Sequence, residues 1–169
     1  MRRTSFAKWP CSIARTVDLL GDWWTPLVLR EAFYGVRRFD EFQASLGIGR
    51  NILTERLRRL VAQGLLERRK YQDRPERFEY RLTAKGRDFY PVLAAIVVWG
   101  DRWLDRGRGA PVLLRHRGCG KITHAEVVCA ECGAPLLARD ITVEAGPGFP
   151  AKLRGHPIRR ARYADPTPV

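Results

Sequence analysis

Two residue pairs in the last third of the chain carry metal-ligand chemistry: His116-x2-Cys119 and Cys129-x2-Cys132. A two-residue gap turns both side chains of a loop toward one ion, and Gly120 and Gly133, each directly after a cysteine, allow the tight backbone curl. The four donors make the Cys3His set of a closed, structural zinc site, with Lys121 to Val128 as a short intervening hairpin and His124 as an alternative fourth ligand. The rival readings are a ribbon that no longer holds metal and a Cys129–Cys132 redox pair. Cys11 stands apart from these four. It opens a helical pattern close to Arg2, Arg3 and Lys8, where amide dipoles and positive charge favour the reactive thiolate; the rival is an inert thiol. All three histidines lie at position 116 or later, and no Ser-His-Asp or paired-carboxylate set can be assembled. Enzymatic chemistry is not expected.

The remaining chemistry is cationic. The chain has 31 Lys+Arg against 18 Asp+Glu, a formal net charge of +13. Residues 37–87 hold fourteen basic and seven acidic residues, so more than half of the excess lies in the middle third. Within it, Arg50 and Asn51 open an amphipathic helix and have the donor patterns that read guanine and adenine edges. Thr54 can meet a thymine methyl or a phosphate, and Arg56 and Arg58 lie on the same helix. Arg68, Arg69, Lys70, Arg74, Arg77 and Arg81 flank a hairpin tip, placed to touch phosphates or an adjacent minor groove. The competing explanation for these is a solvated strand pair with cross-strand ion pairs to Glu67 and Glu79.

Residues of this kind need a scaffold, and hydrophobic periodicity supplies one. The spacing predicts a helix from Cys11 to Leu20, a second from Thr25 to Phe33 with Leu27, Val28 and Ala32 inward, and a short third after Asp40 as N-cap, ending at Leu46. Gly47-Ile48-Gly49 reads as a tight turn. Arg50 to Gln63 is a helix stopped by Gly64, with Leu53, Leu57, Leu60 and Val61 on one stripe. Leu65 to Tyr71 and Arg77 to Leu82 form a β-hairpin, and Thr83 caps one long helix to about Asp105. The short helix, glycine turn and longer helix make a helix-turn-helix, whose second member fits a major groove about 12 Å wide. Trp23, Trp24, Trp99 and Trp103 fit a core or interface better than an aromatic ligand pocket.

Composition excludes several classes. With 45% hydrophobic residues a core is available, and the longest apolar run, Val92 to Trp99, is far too short to cross a bilayer. No apolar run follows Arg2 and Arg3, so a secretory signal is not expected. Four unevenly spaced cysteines do not make a disulfide framework, and a reducing cytoplasm is the expected location.

Three blocks, Cys11 to Phe39, Ile52 to Arg68 and Arg77 to Arg87, resemble the HxlR-type family of bacterial transcriptional regulators across roughly residues 10–105. The resemblance implies a winged-helix homodimer on pseudo-palindromic operators. Its first and last helices would form the dimer contact, here Ile13, Val17, Val92, Ile96, Trp99 and Trp103. It also implies that a cysteine at the place of Cys11 can sense oxidants or electrophiles. Two positions depart from the family pattern: Gly49 where a serine often caps the recognition helix, and Trp23 where a charged residue is common.

The expected fold is mainly α with a small β-hairpin, a winged helix-turn-helix followed by a short C-terminal Cys/His ribbon. Its expected parts are residues 1–105 for DNA binding and dimerisation, 106–112 as linker, 113–145 as zinc-ribbon-like extension and 146–169 as a disordered basic tail. The expected partners are double-stranded DNA, a second copy and a small-molecule or thiol-reactive effector, with zinc as the one cofactor and no membrane. The expected output is repression. A module that recruits protein or RNA is the alternative, and loss of salt-dependent duplex binding would select it.

Overall fold

A computed structural model of the chain describes residues 5–154, the last two by backbone alone. The element order is α1 (Ser12–Leu20), α2 (Trp24–Phe33), α3 (Phe39–Leu46), α4 (Arg50–Ala62), β1 (Leu66–Gln72), β2 (Arg77–Leu82), α5 (Ala84–Arg87), α6 (Tyr90–Trp103), β3 (Leu114–Arg115) and β4 (Ile122–Thr123). A 3-10 turn (Ala138–Asp140) and α7 (Ala151–Arg154) follow. No described helix is long and apolar enough to cross a membrane. Two compact units divide the chain, residues 19–125 and the segments on either side of it. That division does not coincide with the linker expected at 106–112.

Residues 19–125 are organised around α4. Leu53, Leu57 and Leu60 are buried with Val28 and Leu29 of α2, Phe42 of α3, and Leu65 and Leu66 at the entry to the hairpin. Full burial of a leucine contributes about 1.5–3 kcal/mol, so the three on α4 dominate its docking. Ile48, assigned from sequence to a turn, is also buried in this core, as is Leu29 beside the expected Val28. Gly47 makes this placement of Ile48 feasible: at φ 61° it closes α3 in the left-handed region and reverses the chain within one residue.

Helix α3 begins two residues before the point an Asp40 cap would give. The Glu41 carboxylate accepts hydrogen bonds from the backbone amides of Arg37 (3.2 Å) and Arg38 (3.0 Å), so the turn closes around Glu41 and Arg38 becomes the capping position. The Arg38 amide, then that of Arg37, holds the Glu41 carboxyl below its ordinary range. A carboxylate depressed on folding supports the helix start above its unfolded pKa, and that support fades as pH falls through the lower folded value.

The single long helix expected after Thr83 is two helices. Thr83 does cap, its hydroxyl accepting from the Gly86 amide (3.0 Å) and donating to the Gly64 carbonyl (2.6 Å). The helix stops after Arg87 and restarts at Tyr90, and Pro91 is the cause: it has no amide proton for the preceding turn. The expected Lys121–Val128 hairpin is also displaced. The antiparallel pair is β3 with β4, Leu114 opposite Thr123 and Arg115 opposite Ile122, and it encloses His116 and Cys119. Of the tail, residues 155–169 lie outside the described residues.

Gly86 is buried where α5 crosses the Leu65 carbonyl, and a Cβ there would overlap that backbone oxygen. Gly86→Ala is therefore expected to lower stability by about 1–3 kcal/mol, read as a reduced urea midpoint at unchanged slope.

Candidate nucleic-acid interface

Helix α4 presents its polar side because its apolar side is fixed. Opposite the buried stripe lie the exposed Arg50, Asn51, Thr54, Glu55 and Arg58. Gly49 precedes the helix and supplies no side-chain cap, so the first amides of α4 are open to a phosphate oxygen. The Thr54 hydroxyl donates to the Arg50 carbonyl (2.8 Å), which leaves its methyl and oxygen lone pairs for a base edge. Arg58 makes a two-point contact with Glu55 at 2.9 and 3.0 Å. Such an exposed i,i+3 pair is worth under about 1 kcal/mol and yields readily to a phosphate.

Arg56 is placed differently from expectation. Its guanidinium is 2.5 Å from Asp22, and both side chains are about four-fifths buried, at 20% and 19% exposure. Asp22 in turn accepts from the backbone amides of Trp24 (2.9 Å) and Thr25 (3.2 Å), capping α2. Arg56 thus ties α4 to the start of α2, its guanidinium turned to Asp22. The helical wheel puts it on neither face clearly, and only Asp22, 34 positions earlier, decides its direction.

The wing is an antiparallel pair in which Glu67 faces Arg81 and Arg69 faces Glu79, with an irregularity between Lys70 and Gln72. Glu67 bonds Arg69 at 2.7 Å and Glu79 bonds Arg81 at 2.7 Å, so these two arginines are ion-paired, but along each strand and not across the pair as expected. Lys70 sits between Glu76 (3.0 Å) and Asp73 (3.2 Å), and these carboxylates, Glu76 foremost, raise its pKa above the ordinary lysine value. Arg68 covers the Phe78 ring. Among the described residues no ion pair engages Arg50, Arg74 or Arg77. These three are the strongest candidates for phosphate and base contacts.

A cleft of about 360 Å³ joins wing to helix-turn-helix and is lined by Arg38, Arg50 and Arg77 with Phe39, Tyr71, Phe78 and Tyr80, and by Asp40 and Glu76. Arg50 lies 5.0 Å from the Phe39 ring and Arg38 4.9 Å from that of Tyr71. Arg38 is the residue sequence reasoning missed. Its segment, read only as short and extended, pairs with the wing through an Arg38–Glu79 bridge and a bond from the Tyr80 amide to the Arg37 carbonyl (2.8 Å). Two arginines ahead of a helix-turn-helix were the available signal.

Outside this face, Val92, Ile96, Trp99 and Trp103 are all exposed on α6, while Leu93 and Phe89 pack toward the core and Ala94 is buried. Ile13 and Val17 are exposed on α1, Trp23 is exposed, and Trp24 packs on the core. Cys11 is an exposed free thiol directly before α1. His116 and Cys119 face each other with Nδ1 and Sγ 3.3 Å apart. The backbone amides of Cys132 and Glu131, then the Cys132 side chain, bond the Cys129 sulfur and lower its pKa. Within either unit, no three His, Cys, Asp or Glu side chains gather as a metal-ligand group among the described residues.

A helix pair crossed by a tight turn, a polar-faced second helix and a cationic hairpin beside it define a winged helix-turn-helix DNA-binding protein. The family described as HxlR-like helix-turn-helix matches residues 19–108. The HTH-type transcriptional regulator Rv3095 of Mycobacterium tuberculosis, itself uncharacterised, is 48% identical over 142 residues, 84% of this chain and 90% of the relative. Any 142-residue stretch of a 169-residue chain includes residues 28–142, so that likeness runs through the Cys/His segment as well. Among solved structures, PA1607, described as a candidate transcription factor, superposes with a TM-score of 0.76 at 39% identity, covering 85% of this chain and all of that one. The reduced redox regulator HypR superposes at 0.53 with 30% identity over 58% of this chain and 96% of its own. The chain belongs to the HxlR-like helix-turn-helix family and is a DNA-binding transcriptional regulator.

Arg56→Ala is expected to cost about 1.5–3 kcal/mol of stability, by stranding Asp22, and to leave base preference unchanged below its melting range. Arg38→Ala and Arg77→Ala are each expected to weaken every DNA site alike and to reduce the slope of log affinity against log salt by about 1. Chemical denaturation and anisotropy titrations across a salt series distinguish these outcomes.

Proposed function

We propose that this regulator is a cytoplasmic homodimeric repressor that occupies a promoter-proximal, pseudo-palindromic operator. The observation that carries the reading is the stripe on α6. Val92, Ile96, Trp99 and Trp103 recur at intervals of four, three and four residues, the seam spacing of two packed helices, and all are exposed, Trp99 at 59% and Trp103 at 63%. Aromatic residues left in water at seam positions favour a second copy as their cover. With α1 contributing Ile13 and Val17, two copies would hold their recognition helices at a fixed spacing. Half-sites one helical turn apart are the DNA counterpart of that spacing.

In this reading Arg50 and Asn51 read bases, Thr54 and the wing residues Arg74 and Arg77 position the helix, and Arg58, Arg69 and Lys70 add exchangeable charge. The input is a small molecule or a thiol-reactive compound. HypR is named a redox regulator, and the exposed Cys11 ahead of a dimer helix is the group we assign to a thiol signal here. Modification there would alter how α1 meets the partner and so the spacing of the recognition helices.

Arg50→Ala or Asn51→Ala is expected to cut the preference for operator over random duplex by about 1–3 kcal/mol, while Arg74→Ala lowers affinity for both. Equal wild-type affinity for operator and random DNA at physiological salt refutes the regulator's sequence reading. Sedimentation of Trp99→Glu as a monomer where wild type is a dimer supports the α6 seam. Diamide is expected to release wild type from DNA and to leave Cys11→Ser bound; identical responses remove the thiol signal.

A further inference from the structure

Three arginines and four aromatic rings converge on the cleft between the wing and the helix-turn-helix, and DNA contact accounts for the arginines alone. The cleft lies wholly within residues 19–125 and measures about 360 Å³. Its cations are Arg38 at the cap of α3, Arg50 at the first position of α4 and Arg77 at the first position of β2. Each is held by its element. The Glu41 carboxylate bonds the Arg38 amide (3.0 Å), buried leucines fix α4, and Arg77 pairs with Gln72 across the hairpin.

These guanidiniums have donors to spare. Among the described residues no ion pair engages Arg50 or Arg77, and Arg38 reaches Glu41 only at 4.0 Å. Arg50 lies over the Phe39 ring at 5.0 Å and Arg38 over that of Tyr71 at 4.9 Å. A guanidinium set over a ring uses its face there and keeps the N–H groups of its plane, which match the two oxygens of a carboxylate. An anion entering the cleft therefore breaks no strong contact.

The rings suit more than a phosphate. Phe39 and Tyr80 pack on the core and are held in place, while Tyr71 stands 39% exposed. A phosphodiester presents oxygens and sugar and gains little from aromatic walls, whereas a ring carried by the anion itself stacks on them. Asp40 lines the same space, and among the described residues no ion pair engages it. Glu76, the other carboxylate, is held by Lys70 at 3.0 Å. Asp40 is thus the acceptor left for a hydroxyl on the ligand. The volume falls at the lower end of small-molecule sites, about 300–1,000 Å³, which is room for one ring and its substituents.

We propose that the cleft binds a hydroxylated, single-ring aromatic carboxylate, and that this ligand displaces DNA. Its carboxylate takes the arginines, its ring stacks on the aromatic side chains and its hydroxyl donates to Asp40. The inference rests on the DNA-binding face described above, and it gives the small-molecule input of the proposed function a place and a chemical class. Arg38, Arg50 and Arg77 serve one occupant at a time. Ligand at about a hundred times its own dissociation constant therefore raises the apparent Kd for DNA about 100-fold.

The probe is 4-hydroxybenzoate, titrated by calorimetry into the DNA-free full chain. It is then added to the complex with a random duplex and followed by anisotropy, with sodium acetate at equal ionic strength as control. Saturable binding of about one molecule per chain is expected, with 4-hydroxybenzamide and acetate each weaker by about tenfold or more, since one lacks the charge and the other the ring. Arg38→Gln and Arg77→Gln are expected to weaken 4-hydroxybenzoate to the same degree and to keep the wild-type urea midpoint. Arg74→Ala, outside the cleft, is expected to keep the ligand and lose DNA affinity. The proposal is overturned by the absence of saturable binding below about 1 mM, or by equal affinity for the amide or for acetate. Unchanged binding in both glutamine variants, or ligand binding that leaves the duplex in place, overturns it as well. Duplex binding without ligand binding removes this inference alone. A ligand-free chain that shows no salt-dependent duplex binding removes the DNA reading, and with it the displacement, whatever the calorimetry gives.

Discussion

The burial of Leu53, Leu57 and Leu60 is the constraint on which the DNA-facing surface depends. Three leucines on one side of a thirteen-residue helix leave one rotation about its axis that removes them all from water. Once that rotation is set, Arg50, Asn51 and Thr54 must point outward. The same core takes in Leu65 and Leu66, which fixes the strand that leaves α4 and so the position of the wing. Gly64, left-handed at φ 70°, makes the sharp exit between them. Base-reading residues and wing arginines thus share one rigid support, and their relative placement is a property of packing.

Electrostatics then selects among the cations. Residues 37–87 carry fourteen, yet Arg56, Arg58, Arg69, Lys70 and Arg81 are committed to carboxylates within the domain. Such pairs hold side chains in place and hide little charge from the far field, since each carboxylate was already counted in the net. What they change is which guanidinium is ready to bond a phosphate without first breaking a contact. Of the candidates on α4 and the hairpin tip, Arg50, Arg74 and Arg77 make no ion pair, and Arg38, 4.0 Å from Glu41, shares a cleft with Arg50 and Arg77. A segmental net charge finds the face but not the individual contacts.

Periodicity made the helices, the turn and the hairpin legible in sequence, because each is decided by residues within a few positions. What escaped was decided at a distance. Arg56 faces inward because Asp22 is there to receive it, and Ile48 is buried because Gly47 turns it under the helices. Arg38 joins the interface through a bridge to Glu79, 41 positions later. The start of α3 and the break before α6 were missed for a different reason. Both signals, Glu41 and Pro91, stood in the sequence, but a strong apolar stripe outweighed them. For the DNA face, residue type was readable and residue direction was not.

The two ends of the chain's stability problem are met by different means. The winged helix has nine buried apolar side chains in one cluster and can afford glycines at its turns. The Cys/His segment buries none, although it is rich in valine and leucine, because two-residue strands and four-residue turns are too short to cover one another. Its order is carried by backbone hydrogen bonds, and in water these contribute only about 0.5–1.5 kcal/mol each. Each of its two turns closes on a left-handed glycine, Gly120 or Gly133, a conformation that glycine adopts without strain and that a side chain would oppose.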